Sequence, residues 1–150
     1  MSQSTYPRKR GILRHLMVAV AATVALLVAA QQPAIAGARG IQTWGAFCVG
    51  GKCFPSGILE HEIIGNDNNI QRQWADASSA ANLCNWRMDF VYYDTNNTLY
   101  YRNQGATNYT CTRSAGRIDY TNRIVRYGKS CAEIYSNSTL IARQCHYITK

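Results

Sequence analysis

Apolar residues follow three rhythms along this 150-residue chain. Near the start they run together: Leu16 to Ala30, "LMVAVAATVALLVAA", carries no charge. From residue 37 on they come in short runs cut by Gly and Asn. "FCVGGKCF" (47–54) reads as a tight hairpin, because Gly50-Gly51 supplies a turn that needs positive φ. "HEII" reads as a short strand stopped at Gly65-Asn66-Asp67. Between about Asn68 and Leu83 the rhythm changes. Ile70, Trp74, Ala77 and Ala81 recur at helical spacing and predict one amphipathic helix. Asn66, Asp67 and Asn68 are suitable N-caps, and alanine favours the helix, although Ser78 and Ser79 weaken it slightly.

Alternation returns in "MDFVYYDTNNTLYYRN", which predicts two strands turning at Asn96-Asn97. With those two residues as the loop, facing positions sum to 193. Tyr93 then faces Tyr100, Tyr92 faces Tyr101 and Val91 faces Arg102. One face carries Phe90, Tyr92, Leu99 and Tyr101, and is the more apolar. The other carries Val91, Tyr93, Tyr100 and Arg102, and is expected to look outward. Aromatic cross-strand pairs contribute roughly 0.2–1 kcal/mol each over an alanine pair. The same register carries Cys84 toward Cys111. A further strand is expected near "IDYTNRIVRY". The chain closes with "CAEIYSNSTLIARQCHYI", a hairpin with a loop at Asn137-Ser138-Thr139. Its facing positions sum to 276, so Cys131 faces Cys145 and Glu133 faces Arg143. Together these elements predict an α+β domain, a small disulfide-stapled antiparallel sheet with one helix. An all-β sandwich is the alternative if the helix fails.

The apolar run falls short of the roughly 20 residues that a spanning helix needs. Arg8, Lys9, Arg10 and Arg14 precede it, and Pro33 and a small-residue "AIA" follow it. This is the layout of a signal peptide over residues 1–36, with a cut before Gly37 or before Arg39. A single globular domain, 37–150, is expected to follow, secreted and without a membrane span. The formal charge of +8 then overstates the basicity of the working domain. Four of the 16 Lys and Arg leave with the signal, so 12 oppose 8 acidic residues, a net of +4.

All 6 cysteines lie after residue 36. An even count beside an export signal argues for disulfides, and the registers pair Cys48–Cys53, Cys84–Cys111 and Cys131–Cys145. The last closes a loop of about 15 residues, worth roughly 3 kcal/mol in the chain-entropy model. With no CxxC and no close His/Cys cluster, no metal or other cofactor is expected. Trp44, Trp74 and Trp86 read as core, Trp86 covering the Cys84 bridge.

"NLCNWRMDFVYYD" and "CAEIYSNSTLIARQCHYI" resemble segments of small exported cysteine-rich proteins of high-GC Gram-positive bacteria. The resemblance implies a secreted bacterial domain and carries no activity. The chain is also similar in class to the small disulfide-linked protease inhibitors of such bacteria, but it has none of their reactive-loop motifs.

Hydrolase, metalloprotease, phosphate-loop and calcium-loop signatures are absent. Small secreted microbial ribonucleases resemble the chain in size and in their use of Glu, Arg and His, which would select Glu133, Arg143 and His146. The register opposes that set, because Glu133 and Arg143 share a face that His146 does not. His61 and Glu62 are adjacent and so alternate faces in a strand. These five are the catalytic candidates if the protein is an enzyme. Binding candidates are Tyr93, Tyr100 and Arg102 on one hairpin face, and the basic run Arg113, Arg117, Arg123 and Arg126. Against that run, strand alternation sends Arg123 and Arg126 to opposite sides, and a solvated charged face would look the same. The expected function is a secreted non-enzymatic binding domain. It would recognise a protein or an anionic or carbohydrate envelope polymer, possible inhibitor roles included; nucleic acid is not an expected partner. A secreted hydrolase such as a ribonuclease, or a structural envelope protein, are the alternatives.

Overall fold

The computed structural model describes residues 37–150, so the expected signal peptide lies outside the described residues. Eleven strands form among the described residues: β1 (Gly37–Trp44), β2 (Phe47–Val49), β3 (Lys52–Phe54), β4 (Gly57–Asn66), β5 (Asn69–Leu83), β6 (Trp86–Asp94), β7 (Leu99–Asn103), β8 (Thr112–Asp119), β9 (Arg123–Ile124), β10 (Gly128–Ser136) and β11 (Thr139–Ile148). Every pairing is antiparallel. One sheet runs β1-β4-β5-β8, with β9 also beside β5; a second runs β11-β10-β6-β7; β2 and β3 form a separate ribbon.

No helix occurs among the described residues, which corrects the α+β expectation to an all-β fold. The expected helix is strand β5. Its inner face is Gln73, Ala75 and Ala77, all buried at period two. Trp74 stands on the opposite face under the Arg39 guanidinium, 5.4 Å from its ring centre. Ala81, the fourth member of the helical stripe, is exposed. Helix propensity is a weak prior, and here β4 and β8 pair the β5 backbone on both sides. The Asn66-Asp67-Asn68 stretch makes a hairpin turn instead of an N-cap. Asn66 pairs with Asn69, and Asp67 sits at φ 53°, a left-handed conformation that Asp and Asn tolerate.

The two large sheets share one core. Leu59, Ile63, Ala75 and Ala77 come from the first; Met88, Phe90, Tyr92, Ala132 and Ile134 come from the second. All nine are essentially inaccessible. Side chains that alternate between core and solvent along β4 and β5 are what a sheet buried on one face requires.

Three disulfides join Cys48–Cys53, Cys84–Cys111 and Cys131–Cys145, the pairings expected from the registers. Such bonds are consistent with an extracellular protein. Two registers match closely. Cys48 faces Cys53 across Gly50-Gly51, both at positive φ. Cys131 faces Cys145 and Glu133 faces Arg143. Near the tip a bulge after Ile134 shortens the loop to Asn137-Ser138, both left-handed, the two-residue turn that strand twist favours. The Cys84–Cys111 pair forms for a different reason from the one expected. The β6–β7 hairpin ends at Asn103, and it is the pairing of Leu83 with Thr112, between β5 and β8, that brings the two cysteines together.

The β6–β7 turn is also longer than expected. Asp94 N–H donates to the Thr98 carbonyl, and Asp94 Oδ1 accepts from the Asn96 and Thr98 N–H groups. Tyr92 faces Tyr101 and Val91 faces Arg102, but a bulge sets Tyr93 opposite Leu99. Tyr100 is therefore displaced from the Tyr93 face. It packs toward Tyr92, ring centres 6.3 Å apart, and accepts a hydrogen bond from the Arg126 N–H.

The strand assignment of β5 is testable by substitution. Ala77→Leu inserts bulk between the sheets and is expected to cost about 1–3 kcal/mol in urea unfolding. Ala81→Lys, on an exposed site, should stay within about 0.5 kcal/mol of the parent. A helix with both alanines on its buried stripe would make both changes costly.

Candidate functional site

The outer face of the four-stranded sheet is a lattice of arginine, carboxylate and tyrosine. Strand alternation places Asp89 (β6), Arg102 (β7), Glu133 (β10) and Arg143 (β11) on this face, with Asp89 directly opposite Glu133. Both carboxylates are completely buried, although they point away from the core. Arg102 Nη1 donates to Asp89 Oδ2 at 2.8 Å, to Glu133 Oε2 at 2.8 Å and to the Tyr135 hydroxyl at 3.1 Å. Arg143 Nε donates to Glu133 Oε1 at 2.7 Å, and the Tyr135 hydroxyl donates to Glu133 Oε2 at 2.6 Å. Asp89 Oδ1 accepts from Arg87 Nε at 2.9 Å and from the Gly105 N–H at 3.0 Å. Burial alone would raise the Glu133 pKa; hydrogen bonds from Tyr135 and Arg102 and the charge of Arg143 outweigh it and hold the group below its ordinary value. Tyr93 closes this face with its ring 5.5 Å from the Arg143 guanidinium.

An open groove of about 380 Å³ lies at one end of the same face. Lys52 and Arg87 supply two cations to it, and no carboxylate lines it. Asn85 and Asn137, both at φ 48°, line it and are joined by an Asn85 Nδ2 to Asn137 Oδ1 hydrogen bond of 2.7 Å. Lys52 Nζ donates to the Asn137 carbonyl at 3.3 Å. Arg87 stacks 4.6 Å from the Tyr135 ring centre. Tyr109, 80% exposed, lines both this groove and a second, more apolar depression of about 630 Å³ whose lining includes Trp86, Met88 and Arg117. The loop carrying Tyr109 is pinned by the Cys84–Cys111 bond, by mutual backbone hydrogen bonds between Trp86 and Asn108, and by Gly105. A Cβ at Gly105 would collide with the Met88 carbonyl.

The catalytic candidates do not converge on a common substrate position. His61 and His146 do meet, 85 residues apart in sequence, but between the sheets. His146 Nε2 donates to the His61 carbonyl at 2.9 Å, and the rings lie 5.0 Å apart. His61 is fully buried, and neither ring nitrogen finds a hydrogen-bond partner among the described residues. Burial, followed by repulsion from His146, pushes its pKa down to about 3. Beside this pair Gln73 Nε2 donates to the Tyr92 hydroxyl at 2.5 Å, and burial lifts the Tyr92 pKa to about 12. Glu62 lies on the outer face of the other sheet, 3.9 Å from Arg39, while Glu133 and Arg143 are locked in the lattice.

The basic run is likewise dispersed. Arg117 turns inward and donates to the Met88 and Asn103 carbonyls at 2.9 and 2.7 Å, tying the two sheets together. Arg123 stacks 4.2 Å from the Tyr101 ring centre and Arg126 stacks 4.9 Å from Tyr100. Arg113 stands exposed on β8. Of the aromatic candidates, Tyr93 and Arg102 share the lattice, and Tyr100 sits on the other side of the bulge. Sequence reasoning missed Asp89, Lys52, Arg87, Tyr109 and Asn137. The Asn85 and Asn137 turns gave a local signal, but nothing local to the sequence joins residues 52, 85 and 137.

The lattice holds buried charges, whereas His61 is buried neutral, and both can be tested by unfolding. Arg102→Met leaves two buried carboxylates without their shared donor and should cost about 3–5 kcal/mol in urea unfolding; Arg102→Lys cannot reproduce the planar donor set and should recover only part of it. His61 binds a proton in the unfolded chain below its ordinary pKa of 6.5 and binds none in the folded protein until about pH 3. Stability should therefore fall as pH drops through 6.5 toward 3, by about 1.4 kcal/mol per unit at most from this group. Glu133, also depressed, adds a loss in the same direction as it is protonated. His61→Leu should remove the first contribution at little cost near neutral pH, because it replaces a polar group that has no partner. Unfolding measured across this pH range in both proteins checks the slope.

Comparison with known proteins finds no matching family model, no matching curated protein and no matching solved structure.

Proposed function

We propose that the protein is a secreted, non-enzymatic binding domain that recognises a protein or an envelope polymer, with the groove beside Tyr109 as its recognition surface. One observation carries this reading: all three disulfide-linked segments converge on the groove. Lys52 neighbours Cys53, Asn85 neighbours Cys84, Tyr109 stands two residues before Cys111, and Asn137 is at the tip of the hairpin that Cys131 and Cys145 close. A groove whose walls are cross-linked loses little freedom on binding, which is where affinity is most often spent. The enclosure of His61 and His146 between the sheets favours binding over turnover, because a general acid or base must reach the reacting group. Secretion is supported by the signal-like leader and by the three disulfides together.

Purified wall polymers and purified secreted proteases, immobilised one by one, test the proposal. At least one should retain the protein, and a Lys52→Ala/Tyr109→Ala double variant should bind it about tenfold more weakly, whereas Arg113→Ala should not differ from the parent. Retention that ignores the double substitution would move recognition away from the groove. No retention by any, together with turnover of a substrate, would end the binding reading.

A further inference from the structure

Resting on that reading, we infer that the groove takes an acidic saccharide, a sugar unit bearing a carboxylate, from an anionic polysaccharide. Charge is the first argument. Lys52 and Arg87 line the groove and no acidic side chain does. Arg87 spends its Nε on Asp89, and among the described residues no acceptor engages its two terminal amino groups. The side chain keeps 23% of its surface exposed, and the terminal N–H groups of a guanidinium can receive a planar carboxylate with two parallel hydrogen bonds.

Hydroxyl recognition is the second. Asn85, Asn137 and Thr107 line the same groove, and amides and hydroxyls both donate and accept. A sugar hydroxyl also does both, so these groups suit it better than they suit an apolar ligand or a bare anion. Shape is the third. Tyr109 exposes 80% of its surface on a pinned loop, and the second depression, lined in part by Trp86, Met88 and Arg117, shares Tyr109 with the groove. A tyrosine ring offers an apolar face with a polar tip, which can lie against the apolar face of a pyranose. A chain of sugars can thus cross Tyr109 with its charged unit in the groove and a neighbouring unit in the second depression. The groove volume lies within the range of about 300–1,000 Å³ typical of small-molecule sites.

Amide-resolved NMR titration of the intact domain with three probes tests this: trigalacturonate, maltotriose and inorganic polyphosphate. Trigalacturonate should bind and shift the amides around Lys52, Arg87, Thr107, Tyr109 and Asn137. Lys52→Gln should weaken it by about threefold, as expected for an exposed charge, and Tyr109→Ala by about fivefold. Both side chains are exposed, so both variants should keep the parent spectrum elsewhere. Maltotriose binding as tightly as trigalacturonate would remove the anionic requirement and overturn the inference. Polyphosphate binding at least as tightly, unaffected by Tyr109→Ala, would overturn the saccharide. No shifts in the groove with trigalacturonate would overturn it too, while retention of a protein by the same groove would leave the binding-domain reading intact.

Discussion

The backbone of β5 has fifteen residues of N–H and C=O groups that must be paired or hydrated, and the rest of the fold is arranged around that demand. β4 pairs one edge; β8 and β9 pair the other. Buried backbone groups left unpaired would each cost about as much as a lost hydrogen bond, so β5 holds these partners in one sheet. Its inner face is lined by Ala75 and Ala77, which leave room for Phe90 and Tyr92 of the facing sheet. Its far end sets Leu83 beside Thr112, so Cys84 meets Cys111. That bond holds the loop that carries Tyr109. The groove is thus a remote consequence of how one long strand satisfies its backbone.

Polar groups are buried on both sides of the four-stranded sheet, under different rules. On the outside, Asp89 and Glu133 lie beneath arginines and tyrosines, and every carboxylate oxygen has donors. In low dielectric a fully satisfied network is strong and a partly satisfied one is costly. The lattice therefore fixes how β6, β7, β10 and β11 align, since a slip of one residue would turn the carboxylates toward the core. On the inside, His61 is left neutral with no partner, and its stability contribution depends on remaining uncharged. At the end of the same face Arg87 meets Lys52 of the β2–β3 ribbon, with no acidic side chain lining the groove between them, and that positive charge is what the groove has to offer.

Much of the hairpin geometry was legible because it is local. Gly50-Gly51 and the run around Asn137 announce tight turns, and counting outward from them sets Cys48 opposite Cys53 and Cys131 opposite Cys145. Bulges were not legible. One extra residue in the β6–β7 hairpin moved Tyr100 off the Tyr93 face, and nothing in "TNNTLYYRN" distinguishes that arrangement from the unbulged one. The segment 69–83 failed for a related reason. Ile70, Trp74, Ala77 and Ala81 satisfy the helical period while Gln73, Ala75 and Ala77 satisfy the period of a strand, and small residues make the two hard to separate.

By itself, the sequence determined the local terms: where the chain turns, which cysteines meet across short turns, that Glu133 faces Arg143, and that an uncharged apolar run precedes a segment holding all six cysteines. These follow from steric and register rules acting over a few residues. Only the tertiary structure decided that 69–83 is a strand, that the His61 and His146 rings meet in the core, and that Lys52, Asn85, Arg87, Tyr109 and Asn137 line one groove. Each of those depends on which distant strand supplies the partner for a backbone edge or a side chain, and that choice is made by the burial and hydrogen bonding of the whole chain at once.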